Sequence, residues 1–149
     1  MDNTFRLSCN GYTKWKFDSK LIKEKLNRTC KVLRKIQAAG VQFDGVALTG
    51  TSGTWLGPLL VMEGFKVVLI RKQNDSNHGS PVEAKHGTYS KLVLVDDLVA
   101  SGATVRRARD AIREEIGRSE FHFEGVILYD ENHRDTYRID GQQVYGYDY

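Results

Sequence analysis

Leu92-Val93-Leu94-Val95-Asp96-Asp97-Leu98-Val99-Ala100-Ser101-Gly102-Ala103-Thr104 decides the fold. Four apolar residues run into two adjacent carboxylates, a small hydroxyl-bearing turn follows, and helical spacing then begins. The apolar run has β-branched members and no alternation, as expected of a strand covered on both faces of a parallel sheet. From residue 102 to 116, Val105, Ala108, Ala111, Ile112 and Ile116 fall on one helical side. Residues 100–104 therefore lie at a helix N-terminus, where unpaired N–H groups and the macrodipole favour an anion. Gly102 permits close backbone approach, and Ser101 and Thr104 add hydroxyl donors. Asp96 and Asp97 fall at the carboxyl end of the strand, where open α/β sheets bind ligands. A helix cap alone accounts for an Asp or a Ser in such a turn, but not for two acids directly behind a buried strand. The pattern calls for a ligand with both sugar hydroxyls and a phosphate.

The rest of the chain supplies matching units. Asp18 or Ser19 caps a helix reaching about residue 39, with Leu21, Ile22, Leu26, Cys30, Leu33 and Ile36 on one face and Gly40 at its end. Residues 45–49 read as a short strand, 50–53 as a tight turn, and 54–63 as a second helix made irregular at the start by Gly57-Pro58. Residues 66–71 read as another buried strand, 72–90 as a polar segment, and 125–129 as a further strand. Alternating strands and helices predict an α/β fold, a doubly wound and mostly parallel sheet with right-handed crossovers. Asp140-Gly141, flanked by Tyr137-Arg138-Ile139 and Gln143-Val144-Tyr145, predicts a hairpin with a type I′ turn.

Composition narrows the class. A chain of 149 residues makes one domain, and 40% hydrophobic residues suffice for a core. No apolar stretch reaches membrane-spanning length, and residues 1–11 lack a signal-peptide apolar region, so a cytoplasmic protein is expected. Cys9 and Cys30 match no metal spacing, and Cys30 is expected to be a buried free thiol. The net charge of +3 hides an asymmetry: residues 1–40 hold ten Lys/Arg against three Asp/Glu, the remainder twelve against sixteen. A basic N-terminal helix can attract nucleic acid, although charge runs usually face water.

Val95-Asp96-Asp97-Leu98-Val99-Ala100-Ser101-Gly102-Ala103-Thr104 resembles the signature of the type I phosphoribosyltransferases. Weaker similarity to that family's core extends from about residue 44 to 130. The resemblance implies transfer of a phosphoribosyl group from 5-phosphoribosyl 1-pyrophosphate (PRPP) to a nucleobase, with Mg2+ and release of pyrophosphate. Asp96 and Asp97 would bind the ribose hydroxyls, and Ala100, Ser101, Gly102, Ala103 and Thr104 would cradle the 5′-phosphate. No protein metal ligands are expected, because Mg2+ keeps several waters and binds through substrate. Thr49-Gly50-Thr51-Ser52-Gly53 resembles the pyrophosphate-binding loop in position, but Thr49 stands where many members carry Lys or Arg.

Residues 72–90 are long for an ordered connection and fit a lid. Arg71-Lys72 followed by His78-Gly79 resembles the mobile catalytic loop of orotate phosphoribosyltransferases, which implies catalytic roles for Arg71, Lys72 and His78. The family's second lysine is missing, and the His lies one residue further on. Lys85-His86-Gly87 is a second candidate for that piece, while His122 and His133 are assigned to structure or surface. Ala100 excludes the side-chain acid that hypoxanthine- and guanine-using members often carry there; the loop is closer to that of adenine phosphoribosyltransferases. An orotate-like pyrimidine is favoured over adenine.

The family reads its base with a variable hood, expected here from residues 1–18 and 130–149 around a core of about 40–130. Tyr12, Trp15, Phe17 and the tyrosine-rich hairpin are the candidates, and five of the seven tyrosines lie at or beyond Tyr129. For any one tyrosine, packing against the sheet edge or a dimer contact is the stronger expectation. A homodimer is usual in the family, and neither membrane nor DNA is an expected partner. Two other readings compete. One is a non-catalytic PRPP- or nucleotide-sensing regulator that binds RNA through residues 14–35; the other is a nucleotide-binding α/β module without this sugar chemistry.

Overall fold

The structure is a computed structural model that describes residues 4–11, 14–71, 81–98, 102–117, 120–132 and 136–149, apart from the side chains of Thr51, Ser52 and Thr54. The expected central strand is β4, Lys91–Asp96, following β1 (Gly45–Thr49), β2 (Val67–Ile70) and β3 (Val82–Ala84). Beyond it lie β5 (His122–Leu128), β6 (Tyr137–Ile139) and β7 (Gln142–Gly146), in one seven-stranded sheet of order β3-β2-β1-β4-β5-β7-β6. The pairings β2-β1, β1-β4, β4-β5 and β5-β7 are parallel, whereas β3 and β6 are antiparallel edges.

Burial explains why β4 has no polar alternation. Val93 and Val95 pack into one core layer with Leu33, Ile36, Leu56 and Leu60. Leu92 and Leu94 pack into the other with Val105, Ala108 and Ile112. Those layers carry the helices α1 (Ser19–Ala38) and α2 (Gly50–Met62) on one face and α3 (Ala103–Ile116) on the other. The doubly wound arrangement follows, because both faces of each central strand must be covered. Asp18 is the cap of α1: its side chain accepts from the N–H groups of Lys20 and Leu21. Cys30 is buried and free, and burial pushes its thiol up.

Three elements differ from the sequence reading. The second helix begins at Gly50 rather than after a turn at 50–53. Its glycines explain the close fit: a Cβ at Gly53 would lie 3.2 Å from Leu69 Cδ2, and one at Gly57 3.0 Å from the same atom. These glycines let α2 lie low on β1 and β2, so the helix starts directly at the strand end. Second, the polar segment at 72–90 contains β3, whose short, mostly exposed residues pair with β2 and give no apolar signal. Third, β5 starts at His122, ahead of the expected residue 125.

The hairpin forms as expected, with Asp140 at φ 50° and Gly141 at φ 79°, the two positive values a type I′ turn needs. It is continuous with the sheet: β7 lies parallel to β5, with Val126 opposite Val144 and Leu128 opposite Gly146. Tyr145 is buried, and Tyr147 N–H bonds to the Glu131 carbonyl at 2.9 Å. Much of the segment assigned to the hood therefore extends the core sheet.

Candidate active site

Register brings the chemistry to one edge. Thr49 pairs with Ile70, and Leu48 pairs with both Leu69 and Val95. The carboxyl ends of three adjacent parallel strands thus converge, carrying Arg71 beyond β2, Thr49-Gly50 beyond β1 and Asp96-Asp97 at the end of β4. A cavity of about 370 Å3 opens there, lined by these residues and by Leu98, Thr104 and Arg107, and it extends along α3 past Asp110 and Glu114.

Asp96 is 8% exposed and its Oδ1 accepts the Asp97 N–H at 2.9 Å. Asp97 is partly exposed, and its Oδ1 accepts the Leu98 N–H at 2.7 Å. Each acid is thereby oriented by the backbone of the residue after it, which fixes two carboxylates side by side on the cavity wall. Behind them the chain is pinned to the next strand, with Tyr129 N–H on the Asp96 carbonyl and Asp130 N–H on the Asp97 carbonyl.

The turn after the acids ends in Gly102, which caps α3 at φ 73° and accepts the Arg106 N–H. A Cβ here would meet Ile139 Cγ2 at 2.6 Å and Arg106 Nη1 at 3.3 Å. Positive φ and close packing both demand glycine. The hairpin tip thus buttresses the N-terminus of α3, and Arg109 adds a 2.7 Å ion pair to Asp140.

Of the expected site residues, Thr49, Gly50, Arg71, Asp96, Asp97 and Thr104 share the one cavity. Gly53 faces Leu48 and Leu69 within the packing of α2, away from that lining. Ala103 begins α3. Lys72, His78, Ala100, Ser101 and the side chains of Thr51 and Ser52 lie outside the described residues. Arg71 is anchored at the base of the expected lid: its N–H bonds to the Pro81 carbonyl at 2.7 Å and its Nη2 to Glu83 Oε1 at 2.5 Å. Residues 71 and 81 therefore meet, and the connection between them is shorter than the sequence suggested. Arg107 was missed in the sequence; its place three residues after Thr104, one helical turn on, is the signal that finds it.

Of the expected base-stacking side chains, Tyr12 lies outside the described residues, and the others have partners within the chain. Trp15 is buried edge-on to Tyr129, with ring centroids 6.2 Å apart. Lys25 Nζ lies 5.4 Å from both rings and pairs with Asp130. Phe17 is exposed and meets Trp55. Tyr147 lies beneath Arg28 and Tyr149 beneath Lys35. Tyr137 donates to Glu131 Oε2 at 2.8 Å; burial, then the neighbouring carboxylate, push its hydroxyl up to about 12.

No family model matches the chain. It is 27% identical over 95 residues to an orotate phosphoribosyltransferase of Thermococcus kodakarensis, an overlap of 59% of this chain and 51% of that one. The chain thus spans about half the length of the curated relative it matches. Among solved structures, an adenine phosphoribosyltransferase from Thermoanaerobacter pseudethanolicus superposes with a TM-score of 0.59 at 19% identity, covering 95% of this chain and 87% of that one. The chain has the type I phosphoribosyltransferase fold. The UMP synthase of Leishmania donovani shares that phosphoribosyltransferase fold with it, at a TM-score of 0.58 and 17% identity over 76% of this chain and 23% of the other. The resemblance read from residues 95–104 is thereby supported, and the expected doubly wound, mostly parallel sheet is the one observed.

Proposed function

We propose that this protein is a phosphoribosyltransferase that joins a nucleobase to PRPP and releases pyrophosphate. The observation that carries the reading is the convergence of the Asp96-Asp97 pair, Thr104 in the first turn of α3 and the Thr49-Gly50 start of α2 at one cavity. The two carboxylates accept hydrogen bonds from the ribose 2′- and 3′-hydroxyls. Residues 100–104 hold the 5′-phosphate on the N–H groups that open α3. Thr49 and Gly50, where β1 runs into α2, face the pyrophosphate together with Thr51 and Ser52, with Arg71 as the described cation there and Lys72 and His78 assigned to the same role from the lid motif. In the reaction the C1′–O bond to pyrophosphate breaks, the C1′–N bond forms, and the proton of the base N–H is lost. The ribose gains positive charge as the leaving group departs, so Asp96 and Asp97 stabilise the transition state more than the ground state.

Asp96 and Asp97 present hard carboxylate oxygens at the cavity, the donor type that Mg2+ takes. Bound Mg2+ would neutralise charge on the leaving pyrophosphate.

An orotate-like pyrimidine is the proposed base, supported by the overlap with the Thermococcus kodakarensis enzyme and by the Arg71-Lys72 lid motif. The proposal extends to a place in nucleotide biosynthesis or salvage, to a homodimer and to the cytoplasm; among the described residues no helix is long and apolar enough to cross a membrane. The RNA-binding alternative is not favoured; four of the α1 cations, Lys25, Arg28, Arg34 and Lys35, are engaged with Asp130, Glu24, Glu63 and the Tyr149 carbonyl.

The test is pyrophosphate release from PRPP and Mg2+, with orotate, uracil, adenine, guanine, hypoxanthine, xanthine and nicotinate supplied separately. Release with orotate alone is the expected result. Release with a different base replaces the proposed substrate, and release with none, while PRPP still raises the melting temperature, leaves a binding protein.

A further inference from the structure

The cavity is unbalanced in charge. Its described ionic lining is Asp96, Asp97, Asp110 and Glu114 against Arg71 and Arg107. An anionic ligand with two phosphate-bearing ends needs each cation held in place.

Arg71 is the more constrained of the two. Ile70, just before it, pairs with Thr49 on one side and Val82 on the other, and the Arg71 N–H is tied to the Pro81 carbonyl. Its Nη2 is tied to Glu83 Oε1 at 2.5 Å, from the edge strand β3. Its Nη1 is buried and has no hydrogen-bond partner among the described residues. A guanidinium cannot escape this by losing its proton. A buried donor left unmade is unfavourable, and such groups persist in native structures where a ligand or water completes them.

We propose that Glu83 is a positioning residue, which holds the Arg71 guanidinium by one edge so that Nη1 stays available to an oxygen of the substrate's pyrophosphate group. The proposal rests on the phosphoribosyltransferase reading and goes beyond it by naming a residue on the edge strand that touches no substrate. A fork held at one nitrogen loses little freedom when the other binds, so the contact is prepared before the ligand arrives. The alternative for Glu83 is a purely structural link between β2 and β3.

The experiment compares wild type, E83A, E83Q, E83D, R71A and the double variant R71A/E83A. Two readouts are taken: calorimetric binding of inorganic pyrophosphate with Mg2+, and the KM for PRPP against kcat in pyrophosphate release. E83A is expected to raise the pyrophosphate Kd and the PRPP KM about tenfold with kcat within roughly threefold, as expected when positioned binding rather than chemistry is lost. E83D restores most of the affinity, and E83Q, which keeps the size without the charge, falls between. In the R71A background E83A adds nothing, the non-additivity of two residues acting as a unit. Unchanged Kd and KM in E83A, or an E83A effect that persists undiminished in R71A, overturns the positioning role while the enzyme reading stands. A wild-type protein that neither binds pyrophosphate nor releases it overturns both.

Discussion

Two regions of this molecule bring cations and acids together, and they are built on opposite principles. Along α1, each described contact completes a charge: Lys25 lies between the rings of Trp15 and Tyr129 with Asp130 as partner. In the same seam Arg28 bonds Glu24 and stacks 4.0 Å from the Tyr147 ring, and Lys35 reaches the Tyr149 carbonyl. At the carboxyl edge of β1, β2 and β4 the described acids outnumber the cations, Asp96, Asp97, Asp110 and Glu114 against Arg71 and Arg107. Asp96 and Asp97 stand side by side, and Arg71 keeps a buried nitrogen without a partner among the described residues. The seam pairs its charges within the chain, whereas the cavity holds an excess of acid and one buried Arg71 donor without a hydrogen-bond partner among the described residues. Charge imbalance held in a cavity marks a candidate functional site rather than a stabilising feature.

The comparison breaks hardest at the acid pair. Asp96→Asn together with Asp97→Asn is expected to lower pyrophosphate release by on the order of a thousandfold or more, because both stabilising charges are lost where positive charge develops. The melting temperature should hold or rise as the like-charge repulsion goes. Turnover within tenfold of wild type would show that the pair does not carry the chemistry.

Gly102→Ala tests the turn beside it. The added methyl would meet Ile139 Cγ2 at 2.6 Å in a left-handed backbone, so the start of α3 must shift at a cost of about 1–3 kcal/mol. PRPP affinity is expected to fall by more than about tenfold, as it does when a phosphate cradle moves by a fraction of an ångström. Equal PRPP-induced thermal stabilisation in the variant would remove the Gly102 turn from the site.

The smallest effect sharpens the other side. Lys25→Met leaves Asp130 with Arg28 at 3.9 Å as its remaining ion pair. The expected loss is about 2 kcal/mol, a drop in melting temperature of roughly 4–8 °C. The stabilisation that PRPP adds should be the same as in wild type. A loss of that increment would mean that the seam and the cavity are coupled.

Legibility in the sequence followed locality. The β4 run, the acids and the α3 stripe were readable because strand burial and helix spacing act over a few residues. The Asp140-Gly141 turn was readable for the same reason. The edge strand β3 was not, since three short and mostly exposed residues carry no periodic signal. The start of α2 was misplaced, because residues 50–53 with their two glycines look like a turn until the sheet beneath Gly53 explains why a small residue is needed there.

By itself the sequence determined the class of fold, the acid pair at the end of β4 and the glycine turn into α3, because each is written in adjacent residues. Only the tertiary structure decided which charges meet. Lys25 meets Asp130 across 105 residues and Lys35 meets Tyr149 across 114. The hairpin becomes part of the sheet through parallel pairing with β5, and Arg71 meets Glu83 because β3 folds back along β2. Pairings of that kind depend on which strands become neighbours, and that is set by the burial of both sheet faces as a whole.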